Sequence, residues 1–259
     1  MISAFRNIRS SLINKSAGGR YALYAIGEIL LVVVGILIAL QVNNWNEWRK
    51  ERIEEYAILK QLKEDFESNL DQLESKISIR GTLIESSQKT LEFIDNPGMV
   101  QEDSLYKAMS RGGYRPTFDP IENEVISSGK LGLISNNKLR RLLSQWEKNV
   151  FQLNEEEQFW KNYCIDHRLP LLAEMGLTRK LFFTSSTYFD KPYLLEQTEE
   201  NPIFFSDTKK QINVQSILKD DRLEAISTVC IYSATDANLI SETIKNYIQE
   251  ILSLINQDL

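Results

Sequence analysis

Glu28 is the first side chain whose type and position suggest chemistry. It is the single ionisable group in the run YALYAIGEILLVVVGILIALQV, from Tyr21 to Val42. A carboxylate in such surroundings needs a proton, a partner or water, so Glu28 is a candidate for proton uptake and release or for accepting hydrogen bonds from another helix. An acid simply tolerated near a membrane interface is the plainer alternative. A second candidate is the segment Cys164-Ile165-Asp166-His167-Arg168. A thiol and an imidazole at i, i+3 share one turn and can form a dyad, whereas Asp166 and His167, as sequence neighbours, do not face one another. A histidine packed at a helix end explains the same residues more simply.

Little else in the chain points to catalysis. No G-x-x-x-x-G-K-S/T loop, G-x-G-x-x-G turn, G-x-S-x-G elbow, H-E-x-x-H pair or C-x-x-C motif is present. One His and two Cys leave little for a metal cage. The expectation is therefore a protein without intrinsic catalysis, with no catalytic, cofactor-binding or metal-ligating residues. A net charge of −6 argues against nucleic acid as a partner.

As a helix, Tyr21–Val42 is roughly 33 Å long, enough to span a bilayer. Tyr21 and Tyr24 at one end, and Trp45 and Trp48 beyond the other, are placed as interfacial rings. Residues 1–20 carry Arg6, Arg9, Lys15 and Arg20 and no acid, whereas Arg49, Lys50 and Arg52 on the far side are interleaved with glutamates. By the positive-inside rule the N-terminus is cytoplasmic. Because QVNNWNEW rather than a small-x-small site follows Leu40, the run reads as a retained signal anchor. Ile2, Phe5, Ile8, Leu12 and Ile13 share a face, so residues 1–20 form either a basic amphipathic cytoplasmic segment lying on anionic lipid or a frayed tail. Within the anchor, Gly27, Leu31, Gly35 and Ala39 share a face of small residues bordered by Glu28, which predicts packing against a second copy or a partner membrane helix.

Beyond Trp48 an apolar stripe runs through Leu59, Leu62, Phe66, Leu70, Leu73, Ile77, Ile84, Leu91 and Ile94, with Arg80 and Ser87 as polar interruptions. It predicts a stalk helix over residues 43–97, either bundled or paired as a coiled coil, with a bend at Gly81 and a stop at Asn96-Pro97-Gly98. Residues 98–259 are expected to form a helical bundle. In it, a helix from Asn136 to about His167 presents Leu139, Leu142, Trp146, Val150, Leu153, Trp160 and Cys164, with Glu157 as the odd charge. The last helix, within 217–259, presents Leu223, Ile226, Cys230, Ser233, Ala237, Ile240, Ile244, Tyr247, Ile251 and Leu254. Between them, about 179–216 reads as an irregular insertion whose Phe182, Phe183, Phe189, Phe204 and Phe205 pack over the bundle or meet a partner. The fold class is all-α: a transmembrane helix continuing into an amphipathic stalk, then an antiparallel bundle. Cys164 and Cys230 lie on stripes of adjacent helices, which allows a disulfide or two buried thiols.

GEILLVVVGILIALQVNNWNEWR, a charged helix and then SSGKLGLISNNKLRRLL resemble an uncharacterised family of single-pass proteins from Gram-negative bacteria, known only as a domain of unknown function. The resemblance covers most of the chain in the order of its parts but not 179–216. It implies a bacterial inner-membrane protein with a helical soluble domain, and it implies no activity because none is assigned to the family; the charge pattern makes that domain periplasmic. Two functions follow as expectations. One is a membrane-anchored scaffold or sensor-type subunit whose outer domain binds a periplasmic protein or ligand; residues 1–20 are too few for an output domain, so any signal would pass to another protein. The other is an accessory subunit of a proton-driven complex that uses Glu28. If the glycine face packs against a second copy, Leu31→Cys and Gly35→Cys will crosslink in membranes more than Ile38→Cys does; uniform crosslinking along the helix would count against that face.

Overall fold

The computed structural model describes residues 17–121, 124–127, 130–188 and 205–259. The amphipathic face of the first sixteen residues, and Phe189 and Phe204, lie outside the described residues. All regular structure described is helical: α1 (Ala17–Asp95), α2 (Glu102–Arg111), α3 (Glu124–Ser127), α4 (Asn137–Tyr163), α5 (Leu169–Glu174), α6 (Thr178–Tyr188), α7 (Val214–Leu218) and α8 (Asp221–Asp258). Short 3-10 turns at Pro97–Met99 and Lys130–Leu133, and a π-helical turn at Cys164–Arg168, complete the set. The chain divides into two compact units, residues 1–57 and 58–259. Segment 58–95 of the predicted stalk helix lies in the same unit as the helices that follow it.

In the first unit the stretch 25–42 of α1 is apolar on all sides apart from Glu28 and Gln41. From Ala25 it is long and apolar enough to cross a membrane, and this apolar stretch is unburied by protein.

In the second unit three long helices enclose the main core. Leu59, Leu62, Phe66 and Leu73 of α1 meet Leu139, Leu143, Trp146 and Leu153 of α4 and Ile244, Ile248, Ile251 and Ile255 of α8. Each such side chain, when fully buried, contributes about 1.5–3 kcal/mol. Phe66 packs edge-on against Trp146 with ring centroids 5.0 Å apart. Cross-links set the directions. Lys245 pairs with Glu74 at 2.7 Å, and Asn238 Nδ2 donates to the Ile77 carbonyl at 3.4 Å, so α8 runs antiparallel to α1. Tyr247 donates to the Leu142 carbonyl at 2.6 Å, and Lys138 pairs with Glu250 at 2.6 Å, so α8 is antiparallel to α4 as well. The expected antiparallel packing therefore describes α8, whereas α1 and α4 run parallel.

Parallel neighbours need a crossover that travels back along the bundle. Residues 114–121 supply part of it as an extended segment without a strand partner, and side chains of the flanking helices satisfy its backbone. Trp160 Nε1 donates to the Tyr114 carbonyl at 2.9 Å. The Phe118 N–H donates to Glu157 Oε2 at 2.8 Å. The Asp119 N–H donates to Gln72 Oε1, and Gln72 Nε2 donates back to the Asp119 carbonyl, both at 2.8 Å. The Ile121 N–H donates to Asn69 Oδ1 at 2.7 Å.

The stripe on α1 differs from expectation past Leu73. Ile77, Ile84 and Leu91 are only half-buried, and the core face is Ile79, Arg80, Leu83, Ser86, Ser87, Thr90 and Phe93. The two supposed interruptions are core members. Arg80 is 2% exposed and forms an ion pair with Glu157, the odd charge of the α4 stripe. It also donates from Nη1 to Ser241 Oγ at 2.8 Å and to Asn238 Oδ1 at 3.3 Å. Burial raises the Glu157 carboxyl above its ordinary range, against the opposing pull of Arg80 and the Phe118 amide. The helix passes Gly81 without interruption and ends at Asp95, because Pro97 disfavours helical backbone at Asn96, whose φ is −126° and ψ 62°. Asn136 caps α4 by accepting from the Lys138 and Leu139 amides at 3.0 and 3.1 Å.

The expected irregular stretch 179–216 includes the helix turns of α6 up to Tyr188 and the short α7. They are ordered by a second apolar cluster that joins Phe93 of α1 to Leu105 and Met109 of α2, Leu181 of α6, Ile217 of α7 and Leu223 of α8.

Removing one member of the buried pair leaves an uncompensated charge. Glu157→Ala is therefore expected to lower stability by about 3–5 kcal/mol, whereas Arg80→Met combined with Glu157→Leu recovers most of that loss. Urea unfolding of the detergent-solubilised chain measures both; a double variant as weak as the single one would show that the pair is not the critical contact.

Candidate functional site

Tyr21, Trp45 and Trp48 are exposed along α1, and Tyr24 lies in the same helix. Glu28 is exposed beside Gly27, and Leu31, at 76% exposure, is among the barest apolar side chains. A Cβ added at Gly27 or Gly35 would meet nothing within 4 Å. With Ala39 also exposed, the small-residue face is open to a neighbour.

The second unit holds a different constellation, one that spacing did not reveal. After α4 the chain makes a π-helical turn at Cys164–Arg168, with the Leu169 N–H bonding to the Cys164 carbonyl. Pro170 opens α5 in place of ending the helix. Lacking an N–H, Pro170 cannot continue the α-helical ladder, and a widened turn accommodates it. Cys164 and Arg168, four residues apart, are both buried. Arg168 is 6% exposed, and its Nη2 donates to the Met109 carbonyl of α2 at 2.6 Å. Burial pushes the guanidinium down from its ordinary range, and the nearest electrostatic neighbours are Cys164, Cys230 and the second cation Arg115. Among the described residues neither arginine forms an ion pair.

Gly113 leaves room for this approach. A Cβ there would lie 2.9 Å from Arg168 Nη1. Above the guanidinium opens a cavity of about 360 Å³ between the α2 end, the π-helical turn and α6. Ser110, Arg115 and Ser185 give it polar walls, and Leu169, Leu181 and Phe182 the apolar ones. Beneath it a cavity of about 20 Å³, large enough for roughly one water, is lined by Arg168, Thr90, Ser227 and Cys230.

The two cysteines enter one apolar cluster with Ile79, Leu83, Trp160 and Ile226, as their stripes suggested. They stand there as separate buried thiols, not as a disulfide. Burial pushes Cys164 up to about 12 and Cys230 to about 11, so both remain protonated at neutral pH. His167 does not meet Cys164. It is exposed and lies against Tyr163, with ring centroids 4.5 Å apart, which separates the proposed dyad by burial. Among the described residues no group of three or more His, Cys, Asp or Glu is arranged to hold a metal ion. Of the expected interaction aromatics, Phe182 and Phe205 are exposed and Phe183 is half-buried.

Arg168 had one signal in the sequence. It falls four residues after Cys164 and eight after Trp160 on the α4 stripe, a third charge in a core position besides Arg80 and Glu157. Arg115 and the serines had none, because no periodic element contains Arg115 or points Ser110 and Ser185 at one another. The buried thiols will resist alkylation in the native chain and react after denaturation, and the intact mass will be the same with and without reductant. A mass lower by two thiol hydrogens in the unreduced sample would overturn the free-thiol assignment.

No curated protein and no solved structure matches the chain. Residues 28–153 match a family of unknown function (DUF6090). The stretch that this chain shares with that uncharacterised family thus runs from Glu28 on α1 to Leu153 on α4.

Proposed function

We propose that this protein is a single-pass, membrane-anchored scaffold or sensor-type subunit of a bacterial inner membrane, without intrinsic catalysis. Its N-terminus is cytoplasmic, and residues 43–259 form a periplasmic domain that binds a protein or ligand. The observation that carries the reading is the exposure of the apolar helix. Ile26, Ile29, Leu30, Leu31, Ile36, Leu37 and Ile38 are each more than half exposed. Leaving such a sleeve in water would forfeit about 25 cal/mol for every Å² of apolar surface, a cost that lipid removes. The charge pattern supports the direction, since the first 20 residues are purely basic. Helix association through Gly27, Leu31, Gly35 and Ala39 gives the anchor a route to a second copy or a partner helix.

A second reading rests on Glu28, the lone ionisable group of that sleeve. A carboxyl there suits an accessory subunit of a proton-driven complex, in which the acid takes up and releases a proton. Glu28→Gln separates the two readings. A scaffold keeps both its co-purifying partners and its host phenotype. Loss of the phenotype with the partners retained favours proton transfer.

Topology is tested in intact spheroplasts. A membrane-impermeant maleimide is expected to label Lys210→Cys, at an exposed position, without permeabilisation, and the protein to stay in the membrane after alkaline washing. Labelling only after permeabilisation would reverse the orientation, and release by the wash would remove the anchor.

A further inference from the structure

The cavity above Arg168 carries an imbalance that its protein surroundings do not resolve. A guanidinium presents five N–H donors, yet the Met109 carbonyl is the single hydrogen-bond acceptor it has among the described residues. A cation buried to this degree requires a counter-charge. The two thiols beside it cannot supply one, since burial keeps both protonated. Among the described residues the cavity wall contains no carboxylate. It contains instead a second guanidinium, Arg115, whose charge opposes that of Arg168. Two cations held together without an acid are most stable with an anion between them. The hydroxyls of Ser110 and Ser185 border the same space, and Ser185 makes no hydrogen bond of its own among the described residues.

We propose that this cavity is a binding site for a small oxyanion, a carboxylate or phosphate group carried on a short apolar body. The guanidiniums suit such a group because their planar forks match the paired oxygens of both. Arg168 is the buried anchor, positioned by the π-helical turn and by the close approach that Gly113 allows. Arg115, exposed at the rim, closes over the outer oxygen. Leu169, Leu181 and Phe182 receive the apolar body, and about 360 Å³ is the size of a small-molecule pocket. The proposal deepens the ligand-binding half of the functional reading, on which only its biological use depends; binding itself depends on the cavity.

The test is thermal unfolding of the full chain in mild detergent, titrated with sodium phosphate, with sodium butyrate and with sodium chloride at matched ionic strength. A saturable rise in melting temperature with phosphate or butyrate and not with chloride is expected, roughly 5–10 °C at a hundredfold excess over Kd. A phosphate response alone names a phosphate ligand, and a butyrate response a carboxylate. Arg115→Gln, at an exposed position, should fold normally and lose most of the response. Arg168→Met should abolish it while leaving the ligand-free melting temperature unchanged or higher, since it removes an unpaired buried cation. Equal responses to all three salts, or an undiminished response in Arg115→Gln, would overturn the site. So would an Arg168→Met chain that is much less stable, in a background where no anion acts on the unsubstituted protein; Arg168 would then be a structural tie to Met109. Each of these failures leaves the maleimide topology result standing.

Discussion

Four segments of the second unit meet at one buried ion pair. Arg80 comes from α1 and Glu157 from α4, Ser241 and Asn238 come from α8, and the Phe118 amide comes from the extended crossover. Hydrophobic stripes alone would let three helices slide by a turn at modest cost, because Leu and Ile fill one another's places. A charge buried at 2% exposure has no such freedom: a shift of one turn, roughly 5 Å, would leave it without its partner. The pair therefore fixes the register of all three long helices together with the path of the return segment.

That return segment shows how a helical protein can carry extended chain in its interior. Residues 114–121 have no neighbouring strand, and their amides would be unsatisfied in an apolar groove. Gln72 answers Asp119 with a reciprocal amide pair, Asn69 and Glu157 accept from Ile121 and Phe118, and Trp160 donates to Tyr114. This explains why Asn69 is almost fully buried on a face otherwise occupied by Leu and Phe. The polar exceptions of the stripes are the groups that the crossover requires.

Farther along, the same helices change character. Past Leu83 the core face of α1 turns to Ser86, Ser87 and Thr90, and opposite it stand Cys230 and Ser227. Small polar side chains leave room here, and the room is occupied by Arg168. Satellite helices α2, α5, α6 and α7 close over this end through their own apolar cluster, and residues of α2, α5 and α6 line the cavity. In the first unit the physical constraint is the opposite one. Its apolar stretch has no protein to cover it, and its small residues and Glu28 are left facing outward.

Periodicity sufficed for the apolar N-terminal stretch, for the all-α class, for the stripe of α4 and for most of that of α8, where Ile240 and Tyr247 are only half-buried, because each of these follows from one segment's own pattern of burial. Leu139, Leu142, Trp146, Val150, Leu153, Trp160 and Cys164 are all buried as that pattern demands, and Asn136 caps their helix. Periodicity failed where a residue's place depends on something distant in sequence. Arg80 and Glu157 looked like flaws when each was read in its own helix, although they are 77 positions apart and answer one another. The parallel course of α1 and α4, the rotated core face beyond Leu73, and the meeting of Arg168, Arg115, Ser110 and Ser185 have the same origin. Local pattern reports which face of a segment avoids water. Which charges and amides complete one another inside is decided only when the segments are packed, since that balance is a property of pairs and not of single residues.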